Sequence, residues 1–130
     1  MKIKEFQNAA KIAVQSHDNE RDEISHWVIG LTEEAGEVAS LIKHKYYNND
    51  EISIADIAEE LGDVLWYLAA ICNGLHIDME KVAELNQMKL ANRYNGEYSD
   101  QAVAMRHSNM NFFRLTPEYM KIVEDLEEKE

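Results

Sequence analysis

Two acidic motifs in this chain mirror each other. The first is Glu33-Glu34-Ala35-Gly36-Glu37 and the second is Glu59-Glu60-Leu61-Gly62-Asp63. In each, two carboxylates stand three residues apart, Glu34 with Glu37 and Glu60 with Asp63. That spacing places both on one face of a helix, a turn apart. The pairs are reflected about the point between Asn48 and Asn49, inside Tyr46-Tyr47-Asn48-Asn49-Asp50, the most loop-like stretch nearby. Two helices folded back antiparallel about that loop set Glu34 opposite Asp63 and Glu37 opposite Glu60. Four carboxylates then converge, and so many negative charges at close range need a cation or bound protons. Oxygen donors of this kind suit Mg2+ or Mn2+.

The rest of the chain reads as helix. It holds five Gly and one Pro in 130 residues and no long alternation of apolar and polar positions. Ile3, Phe6, Ala10, Ala13 and Val14 recur at helical spacing and predict a first helix over residues 2–17. A second is expected from Glu23 to Tyr46, capped by Asp22, and a third from Ile54 to Asn73. Ser53 is the N-cap candidate of the third, with Asp56 at N3 where a capping box prefers Glu, and Gly74 is its C-cap candidate. Asp78 caps a fourth helix running to Tyr94, and Asn95-Gly96 reads as a turn. Ser99 to Met105 suits a short helix, and Thr116-Pro117 starts a last one through Leu126. The expected fold is all-α: an antiparallel four-helix bundle over residues 1–100, with residues 101–130 as a helical C-terminal extension of the same domain. Gly36 falls level with Leu61 and Gly62 with Ala35, where small residues let the two acidic helices approach; ordinary close packing explains them equally.

Charge and cysteine content narrow the function classes. The formal net charge is −12, from 25 acidic against 13 basic side chains. That excludes a general nucleic-acid binder, which carries a basic footprint. The single Cys72 excludes an internal disulfide and a cysteine-based zinc site, and reads as a small buried hydrophobe. No apolar run is long enough to span a membrane and no signal peptide is visible, so a cytoplasmic protein is expected. A di-iron carboxylate bundle needs paired Glu-x-x-His motifs, and only Glu23-Ile24-Ser25-His26 fits.

Substrate contacts are sought near the acids. Trp27 lies seven residues before Glu34 on the same stripe, about 10 Å away at the helical rise. That matches the reach from a nucleotide's phosphates to its base, and Trp is a good stacking platform; a core position is the alternative. His26 adjoins that stripe. Asn86, Lys89 and Arg93 form a stripe on the fourth helix, next to Tyr94, in which Lys89 and Arg93 supply the positive charge that phosphates need. Glu33 and Glu59 are either outer groups that orient water or simply exposed. There is no P-loop, dinucleotide fingerprint or nucleophile elbow.

Together these residues resemble a known family. Gly30-Leu31-Thr32-Glu33-Glu34-Ala35-Gly36-Glu37-Val38, Glu59-Glu60-Leu61-Gly62-Asp63-Val64-Leu65-Trp66-Tyr67-Leu68 and Asn86-Gln87-Met88-Lys89-Leu90-Ala91-Asn92-Arg93-Tyr94 resemble the MazG-like branch of the all-α nucleoside triphosphate pyrophosphohydrolases. The resemblance covers residues 23–99. It implies a Mg2+-dependent enzyme, with Mn2+ as a substitute, that cleaves a (deoxy)nucleoside triphosphate between the α and β phosphates. It implies Glu34, Glu37, Glu60 and Asp63 as metal ligands, and Lys89 and Arg93 as phosphate contacts. Glu33, Glu34 or Glu37 would orient or deprotonate the attacking water. It further implies a homodimer or homotetramer. Asn95 stands where the family often has Pro, and the segment after Asp100 lies outside the resemblance. A non-catalytic metal- or nucleotide-binding helical module is the alternative.

Overall fold

The structure, a computed structural model, describes residues 1–13, 18–94 and 114–128. Every regular element among them is a helix, so the fold is all-α. The elements are α1 (Ile3–Ala13), α2 (Glu20–Tyr47), α3 (Ile54–Gly74), α4 (Met79–Tyr94) and α5 (Pro117–Glu127). They fall into two compact units, Met1–His76 and Ile77–Glu130. The end of the first expected helix beyond residue 13, the Asn95-Gly96 turn, the short helix from Ser99 and the boundary at residue 100 lie outside the described residues.

The helix starts follow local hydrogen-bonding chemistry. α2 begins one turn earlier than expected, because Asn19 rather than Asp22 is the cap. Its side chain accepts from the Asp22 amide at 2.9 Å, which makes Asp22 a first-turn residue. At α3 the capping box forms as read: the Asp56 amide donates to Ser53 Oγ at 3.0 Å, and the Ser53 amide donates to Asp56 Oδ2 at 2.8 Å. The Ser53 hydroxyl also donates to Asp56 Oδ2 at 2.7 Å, and this bond first, then the one from the Ser53 amide, holds the Asp56 carboxyl below its usual range. The C-cap of α3 is Leu75, not Gly74, which ends the helix itself; the backbone turns at His76, with φ of 58°. Asp78 Oδ1 accepts from the Glu80 amide at the start of α4. Thr116 caps α5, with Pro117 in its first turn.

In the first unit α2 and α3 form an antiparallel hairpin, and α1 packs on α3. The mirror register holds along the hairpin. Lys45 Nζ donates to the Ile52 carbonyl at 2.6 Å beside the connection, and Gly30 meets Tyr67 several turns away. The connection is further tied by a His44–Asp50 contact of 2.6 Å. Small side chains line the packed side of α3: Ala69, Ala70 and Cys72 are buried, as is Ala10 of α1. Asn73 Nδ2 donates to the Gln7 carbonyl at 3.0 Å and pins the two helices together. In the second unit α4 packs on α5. Ile122 is buried there, and Lys81 bridges Glu84 at 2.9 Å and Asp125 at 3.7 Å.

Candidate active site

The hairpin brings three of the four paired acids together. Glu34 on α2 and Glu60 and Asp63 on α3 each offer a carboxylate oxygen, and the three oxygens lie within 4.8 Å of one another. Glu34 and Glu60 are half-buried and Asp63 is exposed. Glu37, one turn further along α2, is exposed and stands outside the trio. Glu33 and Glu59 are exposed as well. Partial burial pushes the Glu34 carboxyl above its usual range, and the charges of Asp63, Glu60, Glu33 and Glu37 push it further.

This donor set fits a hard divalent cation. All donors are carboxylate oxygens, as Mg2+ and Mn2+ prefer. The three oxygens lie within 4.8 Å of one another, and twice the ~2.1–2.5 Å metal–oxygen distance of such ions is the range across which the ligands of one ion lie. A cation would also relieve the repulsion that raises Glu34.

Beside the acids lies an aromatic cluster contributed by both helices. Trp27 of α2 is only 4% exposed. Its ring meets Trp66 edge-on at 5.5 Å and Tyr67 at a tilt at 6.2 Å. Trp66 and Tyr67 stack edge to face at 5.1 Å. His26, exposed, sits edge-on to Trp27 at 4.8 Å. Trp27 therefore occupies the core position that was its alternative reading. The Tyr67 hydroxyl is pushed above its usual range, first by burial and then by the negative charges of Glu34, Glu33 and Asp63.

The glycines expected between the acid helices are not at the contact. A Cβ added at Gly36 or Gly62 meets nothing within 4 Å. Successive helical residues are 100° apart, so a residue two positions from Glu34 faces away when Glu34 faces the partner helix. The small residue at the crossing is Gly30, where an added Cβ would overlap the Tyr67 ring at Cε1 and Cζ and lie 2.7 Å from Cδ1. Gly74 plays the same part nearer the α2 start, against Ile24. The signal for Gly30 was in the sequence: it stands four residues before Glu34, just as Tyr67 stands four after Asp63.

The basic stripe lies on α4, in the second unit. Asn86 is exposed, while Lys89, Arg93 and Tyr94 are half-buried. The Arg93 guanidinium carbon lies 5.7 Å from the Tyr94 ring centre, a cation–π distance.

With this geometry, the comparisons with known proteins define a class. The MazG nucleotide pyrophosphohydrolase domain family matches residues 23–96, which hold both acid pairs, the aromatic cluster and the α4 stripe. The chain belongs to this family. It is similar to the Gene 37 protein of Mycobacterium phage L5, 35% identical over 74 residues, covering 54% of this chain and 65% of that one. It is also similar to the uncharacterized protein YpjD of Bacillus subtilis (strain 168), 39% identical over 54 residues, covering 39% of this chain and 49% of the relative. The chain thus spans less than two thirds of the length of each of these relatives. No solved structure matches it.

Proposed function

We propose that the protein is a Mg2+-dependent nucleoside triphosphate pyrophosphohydrolase, with Mn2+ able to substitute. It cleaves (d)NTP between the α and β phosphates to (d)NMP and pyrophosphate. The observation that carries this reading is the convergence of Glu34, Glu60 and Asp63 within a MazG domain. Those three residues would hold the ion, with Glu37 positioned to join from the next turn. The bound ion supplies charge neutralisation of the phosphates and polarisation of water. A water oxygen bonds to the α phosphorus, the bond to the α–β bridging oxygen breaks, and pyrophosphate leaves with the electron pair. The proton of that water passes to a carboxylate among Glu33, Glu34 and Glu37. Glu34 suits this task because its surroundings raise its proton affinity.

Lys89 and Arg93 bind phosphate oxygens, with Asn86 and Tyr94 beside them. Trp27 backs the base site and His26 contacts the base at its edge. The enzyme works in the cytoplasm; among the described residues no helix is long and apolar enough to cross a membrane. It acts as a homodimer or homotetramer. Support for self-association comes from α3, where Ile54, Leu61, Leu65 and Leu68 recur at heptad-like spacing on an exposed stripe.

The test is pyrophosphate release from a panel of NTPs and dNTPs with Mg2+. Turnover of at least one is expected. Tight nucleotide binding without hydrolysis would instead indicate a binding module. No turnover of any nucleotide by metal-loaded protein would refute the enzymatic reading.

A further inference from the structure

We propose that Gly30 and Tyr67 act as a spacer that sets the separation of α2 and α3 at the carboxylate trio, and so tunes its affinity for the metal ion. The inference rests on the metal-binding reading above. Tyr67 projects a wide, flat ring from α3 at the position facing α2. Packed helices lie about 8–10 Å apart, depending on the side chains between them. A ring at that crossing fits only because Gly30 has no side chain: the ring occupies the space a Cβ would take. The ring is not free to swing aside, since Trp66 and Trp27 pack on it at centre-to-centre distances of 5.1 and 6.2 Å.

The spacer is one turn from the acids on both helices. Glu34 follows Gly30 by four residues and Asp63 precedes Tyr67 by four, so both acids continue the same facing stripes. The three carboxylate oxygens lie within 4.8 Å of one another, on the scale of the ~4–5 Å across which one small cation spreads opposite ligands. Parting the helices even slightly would pull an oxygen out of reach. The four-carboxylate motif alone thus does not define the metal site; the large–small pair beside it determines whether the oxygens meet.

The test is Mn2+ binding followed by electron paramagnetic resonance of the free ion, with circular dichroism and chelator-treated melts to confirm folding. Gly30→Ala should weaken Mn2+ binding roughly tenfold, as loss of supporting groups around a metal site does. Tyr67→Phe keeps the ring and should stay within about twofold of the parent. In a Tyr67→Ala background the Gly30→Ala change should have no further effect, because no ring remains to meet the new methyl. A folded Gly30→Ala protein that melts lower yet binds Mn2+ like the parent would overturn the proposal, leaving the pair a packing contact only. Loss of affinity in Tyr67→Phe equal to that in Gly30→Ala would overturn it too, by assigning the effect to the hydroxyl. If Gly30→Ala does not fold, Tyr67→Ala decides: unchanged affinity overturns the spacer, and weakened affinity supports it. A parent protein that binds no Mn2+ would refute the metal-binding reading itself, an outcome distinct from any difference among the variants.

Discussion

Single side chains show how one residue type serves different ends. Glu34, Glu37, Glu60 and Asp63 are interchangeable by spacing, yet at Glu34 partial burial and four acidic neighbours push the carboxyl up. A carboxyl raised in the folded state adds stability below its unfolded value, and that stability is lost as pH rises through the folded one. Chelator-treated protein should therefore gain stability on acidification towards pH 4.5, the ordinary glutamate value. Glu34→Gln should remove that gain and melt higher than the parent at neutral pH without metal; thermal melts across pH check both. With Asp63 as a ligand of the proposed metal site, Asp63→Asn should lower the proposed pyrophosphate release by about 100-fold or more while leaving helicity intact, since a direct ligand matters at least as much as a supporting one. Trp27, 4% exposed, behaves as core: Trp27→Ala should cost about 3–5 kcal/mol in urea denaturation, with Trp66 remaining as the fluorescent reporter.

Helices are legible where their local chemistry is closed. The α3 start was readable because Ser53 and Asp56 satisfy each other's backbone amides without help from the rest of the chain. Ser53→Ala should cost about 1 kcal/mol in equilibrium unfolding. The Asp56 carboxyl, lowered by its Ser53 bonds, contributes stability at neutral pH that is lost as pH falls through its folded value, below the ordinary 3.8. In Ser53→Ala that acid-side loss should shrink. The α2 start was less legible because Asn19 and Asp22 are both good caps three residues apart, and it is Asn19 whose side chain accepts the first-turn amide. Gly74 misled for a related reason. It suits a C-cap, but here its missing side chain accommodates Ile24, and the left-handed turn passes to His76.

On the scale of the molecule, binding of an ion to the trio should stabilise the first unit. Mg2+ at 100 times its dissociation constant adds about 2.7 kcal/mol by mass action, seen as a rise in melting temperature that chelation reverses. Absence of any shift with Mg2+ or Mn2+ would count against the metal-binding reading. Self-association is tested on α3. Leu61 and Leu65 are each 48% exposed and one turn apart, so Leu61→Glu with Leu65→Glu should reduce the mass measured by light scattering without loss of helix. An unchanged mass would move the interface elsewhere.

The sequence by itself determined the helices, the hairpin and its register. A 3.6-residue period and a short polar connection leave two helices one way to match their apolar stripes, and the mirrored acids mark the matching heights. Tertiary structure decided rotation about the helix axes. α1 packs on α3, tied there by the Asn73–Gln7 bond, and the Tyr67 ring seats on Gly30. Those contacts turn Gly36 and Gly62 to open space, bury Trp27, and gather Glu34, Glu60 and Asp63 while leaving Glu37 at the edge. Spacing along a chain sets height on a helix. Which of two facing side chains meets depends on side-chain volumes a turn or two away, and these act only once the helices are packed.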